Sequence, residues 1–254
     1  MTLLRSVAVA LIASGAAMAL ALPLAAQDET PAPKLGPNAV PMTAETTFLR
    51  EQPAPDYWAF APFVKPQFTT SACSIASVTA AVNGLRGLPA LAEDTVTTQS
   101  DLLEVVGDAD WASLSAEGGD GVTFDQLVQF TGEALAATGL DGATVETFHP
   151  TSNDAETLAA MKAMLAANEA SADDVMLLYF NQGVVTGDWD GPHVSLIGAY
   201  DAPNDKVLIL EVDQEWYIPY WTPTEVLLDA MLKPTSAEHG VLEGQTGGFV
   251  HIAK

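Results

Sequence analysis

The spacing of apolar residues changes along the chain. In the first two thirds they recur every three or four positions, and the clearest such run is Ile75, Val78, Val82 and Leu85. This spacing places the apolar side chains on one face of a helix. It predicts a buried helix that begins at Cys73 and ends among the glycines and the proline of residues 84–89.

The same spacing predicts two further helices, one from about Thr123 and one over Ala155–Ala167. Beyond them the pattern becomes that of strands, and the predicted strands are Val175–Phe180, His193–Tyr200, Lys206–Asp213 and Gly248–Ile252. Before the last strand, Thr222-Pro-Thr-Glu225 predicts a capping box that opens a helix over Glu225–Leu232. Because helices come first and antiparallel strands follow, the predicted fold class is α+β.

The N-terminal segment is predicted to lie outside the fold. Residues 1–26 have the features of a secretory signal peptide, with Arg5 near the start, an apolar core, and small residues that allow cleavage after Ala21 or Ala26. An uncleaved membrane anchor is the alternative. Residues 27–50, rich in proline and alanine, are predicted to be an extended linker, and residues 51–254 one folded domain. We therefore expect an exported protein, periplasmic or secreted.

The chain is strongly acidic. It has 9 basic and 33 acidic residues, a formal net charge of −24. Among the charged residues, cleavage of residues 1–26 removes only Arg5, which leaves 8 basic residues and a net charge of −25. Such a charge repels nucleic acid and anionic membrane surfaces, so neither is expected as a partner, and the sequence leaves the oligomeric state open.

Cys73 is the one cysteine of the sequence, so a disulfide within the chain is excluded. The first turn of a helix stabilises a thiolate through its unpaired backbone amides and its dipole. Gln67 lies six residues upstream, where its side-chain amide can donate to an oxyanion. These residues favour a thiol nucleophile, and the alternative is that Cys73 is a small apolar residue in a core.

The predicted hairpin places a carboxylate near His193. Paired residues of an antiparallel hairpin have a constant sum of residue numbers, so a turn centred on Ala202 opposes His193 to Glu211, and one centred on Pro203 opposes it to Asp213. In either register a carboxylate can orient the ring, and an ordinary exposed histidine is the alternative. A helix-borne cysteine, then a histidine on a strand, then a carboxylate is the chain order of the papain-like fold.

Several blocks of sequence are similar to those of a known enzyme family. They are Gln67 with Cys73, Gly121–Phe124, Gly191–Tyr200, Val207–Val212, Tyr217–Pro223, Leu227–Met231 and Gly247–Val250. Together they resemble the catalytic domain of the phytochelatin synthase family, the glutathione γ-glutamylcysteinyltransferases, over about residues 55–254. The resemblance implies that Cys73 is the nucleophile, His193 the general base and Gln67 the oxyanion donor. The aspartate of the family falls on Glu211, with Asp213 as the alternative carboxylate.

The chain departs from the family pattern at three places. Glutamate replaces aspartate at position 211, and Ser74 follows the nucleophile where glycine is usual. Gln214, Glu215 and Trp216 occupy positions where the family tends to carry basic residues that hold a second substrate molecule. The last departure favours hydrolysis over the building of longer peptides.

The resemblance implies a thiol enzyme, connected with metal detoxification, that cleaves the Cys–Gly amide of glutathione through a γ-glutamylcysteinyl thioester on Cys73, and the predicted signal peptide implies that this enzyme is exported. Water or a second glutathione would then take the acyl group. No cofactor is expected, and a thiophilic metal such as cadmium or zinc would arrive as a glutathione thiolate, as part of the substrate. The rival hypotheses are a papain-like peptidase acting on polypeptides and an inactive thiol- or metal-binding protein. One cysteine and four scattered histidines argue against the metal-binding rival.

Overall fold

An antiparallel sheet of seven strands forms the centre of residues 33–254, the part of the chain that this computed structural model describes. The strands are β1 (Val40–Pro41), β2 (Thr144–Phe148), β3 (Asp174–Asn181), β4 (Pro192–Asp201), β5 (Lys206–Leu210), β6 (Tyr220–Pro223) and β7 (Gly248–Ala253). Their order across the sheet is β1-β6-β5-β4-β3-β7-β2. All four predicted strands are present, although β5 ends at Leu210 and not at Asp213. The sequence patterns did not predict β1, β2 and β6.

Helices cover the sheet. Those of the described residues are α1 (Thr47–Glu51), α2 (Pro55–Phe60), α3 (Cys73–Arg86), α4 (Gln99–Val106), α5 (Ala109–Leu114), α6 (Phe124–Ala137), α7 (Ala155–Asn168), α8 (Gln182–Thr186) and α9 (Thr224–Leu232). As predicted, α3 begins at Cys73, and it ends at Gly87, whose φ of 74° favours glycine. Gly84 lies inside the helix. Residue 84 has no side chain because the ring of Phe60 from α2 occupies the space that a Cβ would need. The helices predicted from the sequence are thus confirmed.

The predicted capping box at the start of α9 is wrong. Pro223 is the N-cap residue, and no side chain caps the helix. The hydroxyl of Thr224 donates instead to Oδ1 of Asp205, in the turn between β4 and β5, at 2.8 Å. The polar residues at this end therefore join the helix to the hairpin.

The sheet is buried on both faces. One core lies between the sheet and α3 and α6, and it includes Leu177 and Tyr179 of β3. The other lies between the sheet and α7 and α9, and it includes Leu178 and Phe180 of the same strand. Because successive side chains of a strand point to opposite faces, a strand covered on both sides reads as the continuous apolar run seen from Val175.

Residues 33–50 are part of the fold, so the predicted linker is wrong over its described portion. Val40 pairs with Trp221 in β6, and Leu49 of α1 is buried. The indole Nε1 of Trp221 donates to the backbone carbonyl of Glu45 at 3.0 Å. A few apolar residues anchor this proline-rich segment at the sheet edge, where a proline leaves no ladder hydrogen bond unmade. The compact unit accordingly begins at Pro33.

The predicted signal peptide and the first residues of the predicted linker lie outside the described residues. Between residues 33 and 254, none of the helices has the length and the apolar character needed to cross a membrane.

Candidate active site

Cys73 is the first residue of α3, and hydrogen bonds of two nearby serines attach the start of this helix to the rest of the fold. Oγ of Ser77 donates to the backbone carbonyl of Val194 in β4 at 3.0 Å. Ser74, one of the departures from the family pattern, is buried and accepts a hydrogen bond from the indole Nε1 of Trp111 at 3.0 Å. Cys73 itself is a free, half-buried thiol at a helix start, where backbone amides have no partner within the helix. The cysteine is thus held rigidly beside β4.

His193 lies near the start of β4 and is only 3% exposed. Its Nε2 lies 2.6 Å from Oε1 of Glu211, which leaves Nδ1 for the thiol of Cys73. Burial lowers the pKa of His193, but the charge of Glu211 and a hydrogen bond with Cys73 outweigh burial and bring this pKa well above its ordinary value. The imidazolium form is therefore stabilised next to the thiol.

Glu211 is completely buried, and its carboxylate accepts five hydrogen bonds. Oε1 accepts from His193 Nε2 at 2.6 Å, the Asp213 backbone N–H at 2.7 Å and Ser195 Oγ at 3.3 Å, and Oε2 accepts from Gln182 Nε2 and the Tyr220 hydroxyl, both at 3.0 Å. Burial raises the pKa of Glu211, but His193 and the other donors outweigh it and lower this pKa to about 2. An ionised carboxylate bound in this way fixes the imidazole ring with Nε2 protonated.

The hairpin register explains how Glu211 reaches the histidine. Next to the turn Tyr200 pairs with Val207, but a bulge at Gly198 shifts the register, and beyond it Leu196 pairs with Leu210. If the ladder continued, Ser195 would lie opposite Glu211, so Glu211 approaches His193 diagonally. Gly198 is needed there because a Cβ would come within 2.5 Å of the Leu210 side chain.

Asp213, the alternative carboxylate, forms neither an ion pair nor a side-chain hydrogen bond with any described residue. Its side chain is half-buried and lines the cavity in front of Cys73. Burial raises the pKa of Asp213, His193 lowers it, and Glu211 raises it, so that the net pKa lies above its usual range. The structure therefore places Glu211, and not Asp213, against the histidine ring.

Gln67 lines the same cavity as Cys73 and His193. Its backbone N–H donates to the carbonyl of Val212 at 2.9 Å, which fastens it beside the end of β5. Its side-chain Nε2 donates to the Thr70 carbonyl at 3.4 Å. A primary amide has two N–H donors, so the second remains for a substrate oxygen. The structure thus brings all five residues singled out in the sequence to one cavity or to its floor.

Two cavities meet at Cys73. The larger has a volume of about 400 Å³ and is lined by Gln67, Thr70, Cys73, Asp188, Trp189, Pro192, His193, Asp213, Trp216 and Tyr217. The smaller, of about 150 Å³, lies toward Gly119–Gly121 and His239. Thr70, Cys73, Trp189 and Pro192 line both cavities. The thiol is therefore open to both spaces.

Sequence reasoning missed the residues that hold the carboxylate and those that form the cavity wall. Gln182 comes from α8, inside a stretch that reads as a loop, and Tyr220 comes from β6, a strand that was not predicted. Ser195 gave a usable signal, because it lies two residues after His193 on the same face of a strand. Trp189 had no signal in the sequence, since its place depends on Gly191, where a Cβ would come within 2.2 Å of the indole ring.

The family model described as phytochelatin synthase matches residues 41–239. The chain belongs to the phytochelatin synthase family. The resemblance seen in the sequence is thereby confirmed, as is the α+β class. The cysteine-bearing helix packed on an antiparallel sheet that carries the histidine is the papain-like arrangement.

Two plant proteins are similar to part of the chain. Glutathione gamma-glutamylcysteinyltransferase 1 of Triticum aestivum is 30% identical over 125 residues, which are 49% of this chain and 23% of the plant protein. Glutathione gamma-glutamylcysteinyltransferase 3 of Lotus japonicus is 32% identical over 111 residues, 44% of this chain and 21% of that protein. The alignments thus span less than a quarter of either plant protein.

Among solved structures, the Pseudomonas avirulence protein AvrPphB is similar at 13% identity and a TM-score of 0.33, covering 72% of this chain and 91% of that one.

Proposed function

We propose that the protein is a thiol acyltransferase that cleaves the Cys–Gly amide of glutathione and passes the γ-glutamylcysteinyl group mainly to water. The observation that carries the proposal is the connected set of Cys73, His193 and Glu211, with Gln67 at the same cavity, in a chain of the phytochelatin synthase family. The names of the plant relatives supply the substrate class.

In the acylation step, the thiolate of Cys73 attacks the carbonyl carbon of the Cys–Gly amide. The second N–H of Gln67 and the backbone amide at the start of α3 donate to the oxyanion that forms. The imidazolium of His193 then gives its proton to the glycine nitrogen, the C–N bond breaks, and glycine leaves. The buried carboxylate of Glu211 stabilises the imidazolium and holds its orientation throughout.

In the deacylation step, His193 removes a proton from water as the oxygen attacks the thioester, and the Cys73 thiolate leaves. Transfer to a second glutathione would require that anion to enter a cavity whose charged lining residues include the carboxylates of Asp188 and Asp213. Each missing charge-assisted contact forgoes about 1.5–3 kcal/mol, which is about tenfold or more in acceptor occupancy. Water has no such requirement, so hydrolysis should dominate.

The proposal is tested by incubating the protein with glutathione and identifying the products by mass. We expect glycine and γ-glutamylcysteine, with or without cadmium, which would enter as a glutathione thiolate. Longer γ-glutamylcysteine peptides as the main product would contradict the preference for water. Cleavage of unrelated polypeptides but not of glutathione would favour a papain-like peptidase.

The nucleophile has its own test in Cys73→Ser, which keeps the size of the side chain but is a far weaker nucleophile beside an imidazole. The variant should fold normally and release no glycine above background. Glycine release at a rate comparable to that of the unchanged chain would rule out the thiol mechanism.

We also propose that the protein works outside the cytoplasm, because residues 1–26 have the composition of a signal peptide. Mass analysis of the protein isolated from its host should find a chain that begins after Ala21 or Ala26. A chain that retains residues 1–26 in the cytoplasmic fraction would contradict export.

A further inference from the structure

The cavity of about 400 Å³ in front of Cys73 combines aromatic walls with negative charge. Trp189, Trp216 and Tyr217 contribute rings, and Asp188 and Asp213 contribute carboxylates. Among the described residues that line it there is no lysine or arginine, and the imidazolium of His193 is the cationic group beside the thiol. Aromatic faces next to carboxylates are the chemistry that binds an ammonium group, and they disfavour an anion.

An ammonium group of the chain itself lies over two of these rings. Nζ of Lys34 lies 4.6 Å from the ring centroid of Trp216 and 4.7 Å from that of Tyr217. It also lies 3.4 Å from Oδ2 of Asp188, and the hydroxyl of Tyr217 donates to the same oxygen at 2.8 Å. The rings and the carboxylate of Asp188 therefore already bind one cation, the ammonium group of Lys34.

Asp213 is the carboxylate that this lysine leaves without a partner. Asp188 has Lys34 and Tyr217, whereas the side-chain oxygens of Asp213 accept no hydrogen bond from any described residue. Asp213 is half-buried and lines the same cavity as the thiol of Cys73. A positively charged group bound here would supply the missing partner and relieve the unfavourable burial of a charge.

We propose that the larger cavity accepts a cationic amine, and that a diamine is a better acceptor of the acyl group on Cys73 than glutathione or a neutral amine. One end of the diamine, as ammonium, lies between Asp213 and the aromatic wall, and the other end, as free amine, faces the thioester. The proposal rests on the proposed function, since it requires an acyl group on Cys73.

The transfer step balances without another reactant. The lone pair of the neutral amine forms a C–N bond with the thioester carbon, the C–S bond breaks, and Sγ of Cys73 leaves as a thiolate. The proton lost by the attacking nitrogen goes to His193, which restores the imidazolium–thiolate pair. The ammonium at the far end keeps its proton, and the product is an amide of γ-glutamylcysteine.

The experiment compares acceptors of equal length and different charge. The protein is incubated with glutathione and, in separate samples at equal concentration, diaminobutane, aminobutanol or aminobutanoate, and the γ-glutamylcysteinyl amide and free γ-glutamylcysteine are measured by mass. The ratio of amide to hydrolysis product reports the choice made by the acyl-enzyme, whatever the rate at which that intermediate forms. We expect this ratio to be about tenfold higher for diaminobutane than for aminobutanol, and lowest for aminobutanoate.

Two matched variants test the role of Asp213. Asp213→Asn removes the charge at the cavity and should reduce the ratio for diaminobutane to that for aminobutanol. Glu104→Gln removes one negative charge from an exposed side chain of α4 that does not line this cavity, and should leave the ratio unchanged. An equal fall in both variants would mean that the net charge of the surface, and not the cavity, selects the amine, and would overturn the proposal.

The remaining outcomes separate the two proposals. Release of glycine with equal ratios for diaminobutane and aminobutanol, or a higher ratio for aminobutanoate, would refute the preference for cationic amines and leave the proposed function standing. Failure to release glycine from glutathione at all would refute both.

Discussion

Replacing Glu211 by glutamine isolates the charge of the buried carboxylate from its shape. The amide oxygen of the variant must remain at the Oε1 position, because the Asp213 backbone N–H can only donate there. The new NH₂ group then takes the Oε2 position, opposite Gln182 and Tyr220. Oε1 of Gln182 is buried and has no partner among the described residues. A flip of the Gln182 amide would therefore place this oxygen where it can accept from the new NH₂ group, and the Tyr220 hydroxyl can rotate to accept from the same group.

Glu211→Gln should therefore fold, with a free energy of unfolding within about 1–2 kcal/mol of that of the unchanged protein. The loss falls on catalysis. Unit charges about 4 Å apart at an effective dielectric constant of about 20 interact by about 4 kcal/mol, and this interaction stabilises the imidazolium of His193. Its removal corresponds to a factor on the order of 10³ in turnover, within the range of about 10²–10⁴ expected when an orienting carboxylate is lost.

The assay is glycine release from glutathione over a range of pH, together with unfolding in denaturant. Since the charge of Glu211 raises the pKa of His193, the imidazolium should persist to higher pH in the unchanged protein than in Glu211→Gln. The alkaline limb of the rate profile should accordingly move to lower pH in the variant. Tyr220→Phe is the matched control, because it removes one donor to the carboxylate but keeps the charge, and its alkaline limb should stay in place. A Glu211→Gln protein with turnover within about threefold of normal, or with an unmoved alkaline limb, would refute the assigned role of the carboxylate.

Three further results are expected. Glu211→Ala should lower turnover more than Asp213→Ala, by on the order of 10²–10⁴ relative to the unchanged protein, because Glu211, and not Asp213, is hydrogen-bonded to the ring. The opposite ranking in glycine-release assays would show that Asp213 orients the histidine. Gln67→Ala should lower kcat by about 10²–10³ with little change in KM, whereas a change in KM alone would indicate that Gln67 only binds substrate. Asp56 is buried against Asn168, and its pKa is raised to about 9 by burial and by the nearby acidic side chains. The free energy of unfolding should therefore fall as pH rises from about 4 toward 9. Asp56→Asn should remove part of this pH dependence in denaturant titrations, and an unchanged pH dependence would contradict the assignment.

The helix that carries Cys73 could be predicted because its signal is local. The apolar spacing after Cys73 fixes one face of α3, and the helix begins at that residue. Since His193 and the carboxylates belong to one short hairpin, the sequence could limit the partner of His193 to Glu211 or Asp213. The choice between Glu211 and Asp213 was not predictable, because β5 ends at Leu210 and Glu211 reaches His193 diagonally, from the position opposite Ser195.

The surroundings of the site could not be predicted, because they depend on distant segments. Gln182 and Tyr220 meet Glu211 only after α8 and β6 have been placed around β5. The segment around Lys34 reads as a proline-rich linker, and its role at the cavity wall follows from the pairing of Val40 with Trp221. A pairing across most of the chain leaves no pattern within either partner segment.

Both edges of the sheet join parts of the chain that are made far apart in time. Val40 in β1 pairs with Trp221 in β6, and Thr144 in β2 pairs with Ala253 near the end of the chain, so each pair can form only after its second residue has been synthesised. Contacts between residues so distant in sequence form slowly, because loop closure must precede any gain from the pairing. The sheet can therefore be completed only after the last strand has been synthesised. A chain that has not yet reached β7 therefore lacks the partner that both β2 and β3 pair with.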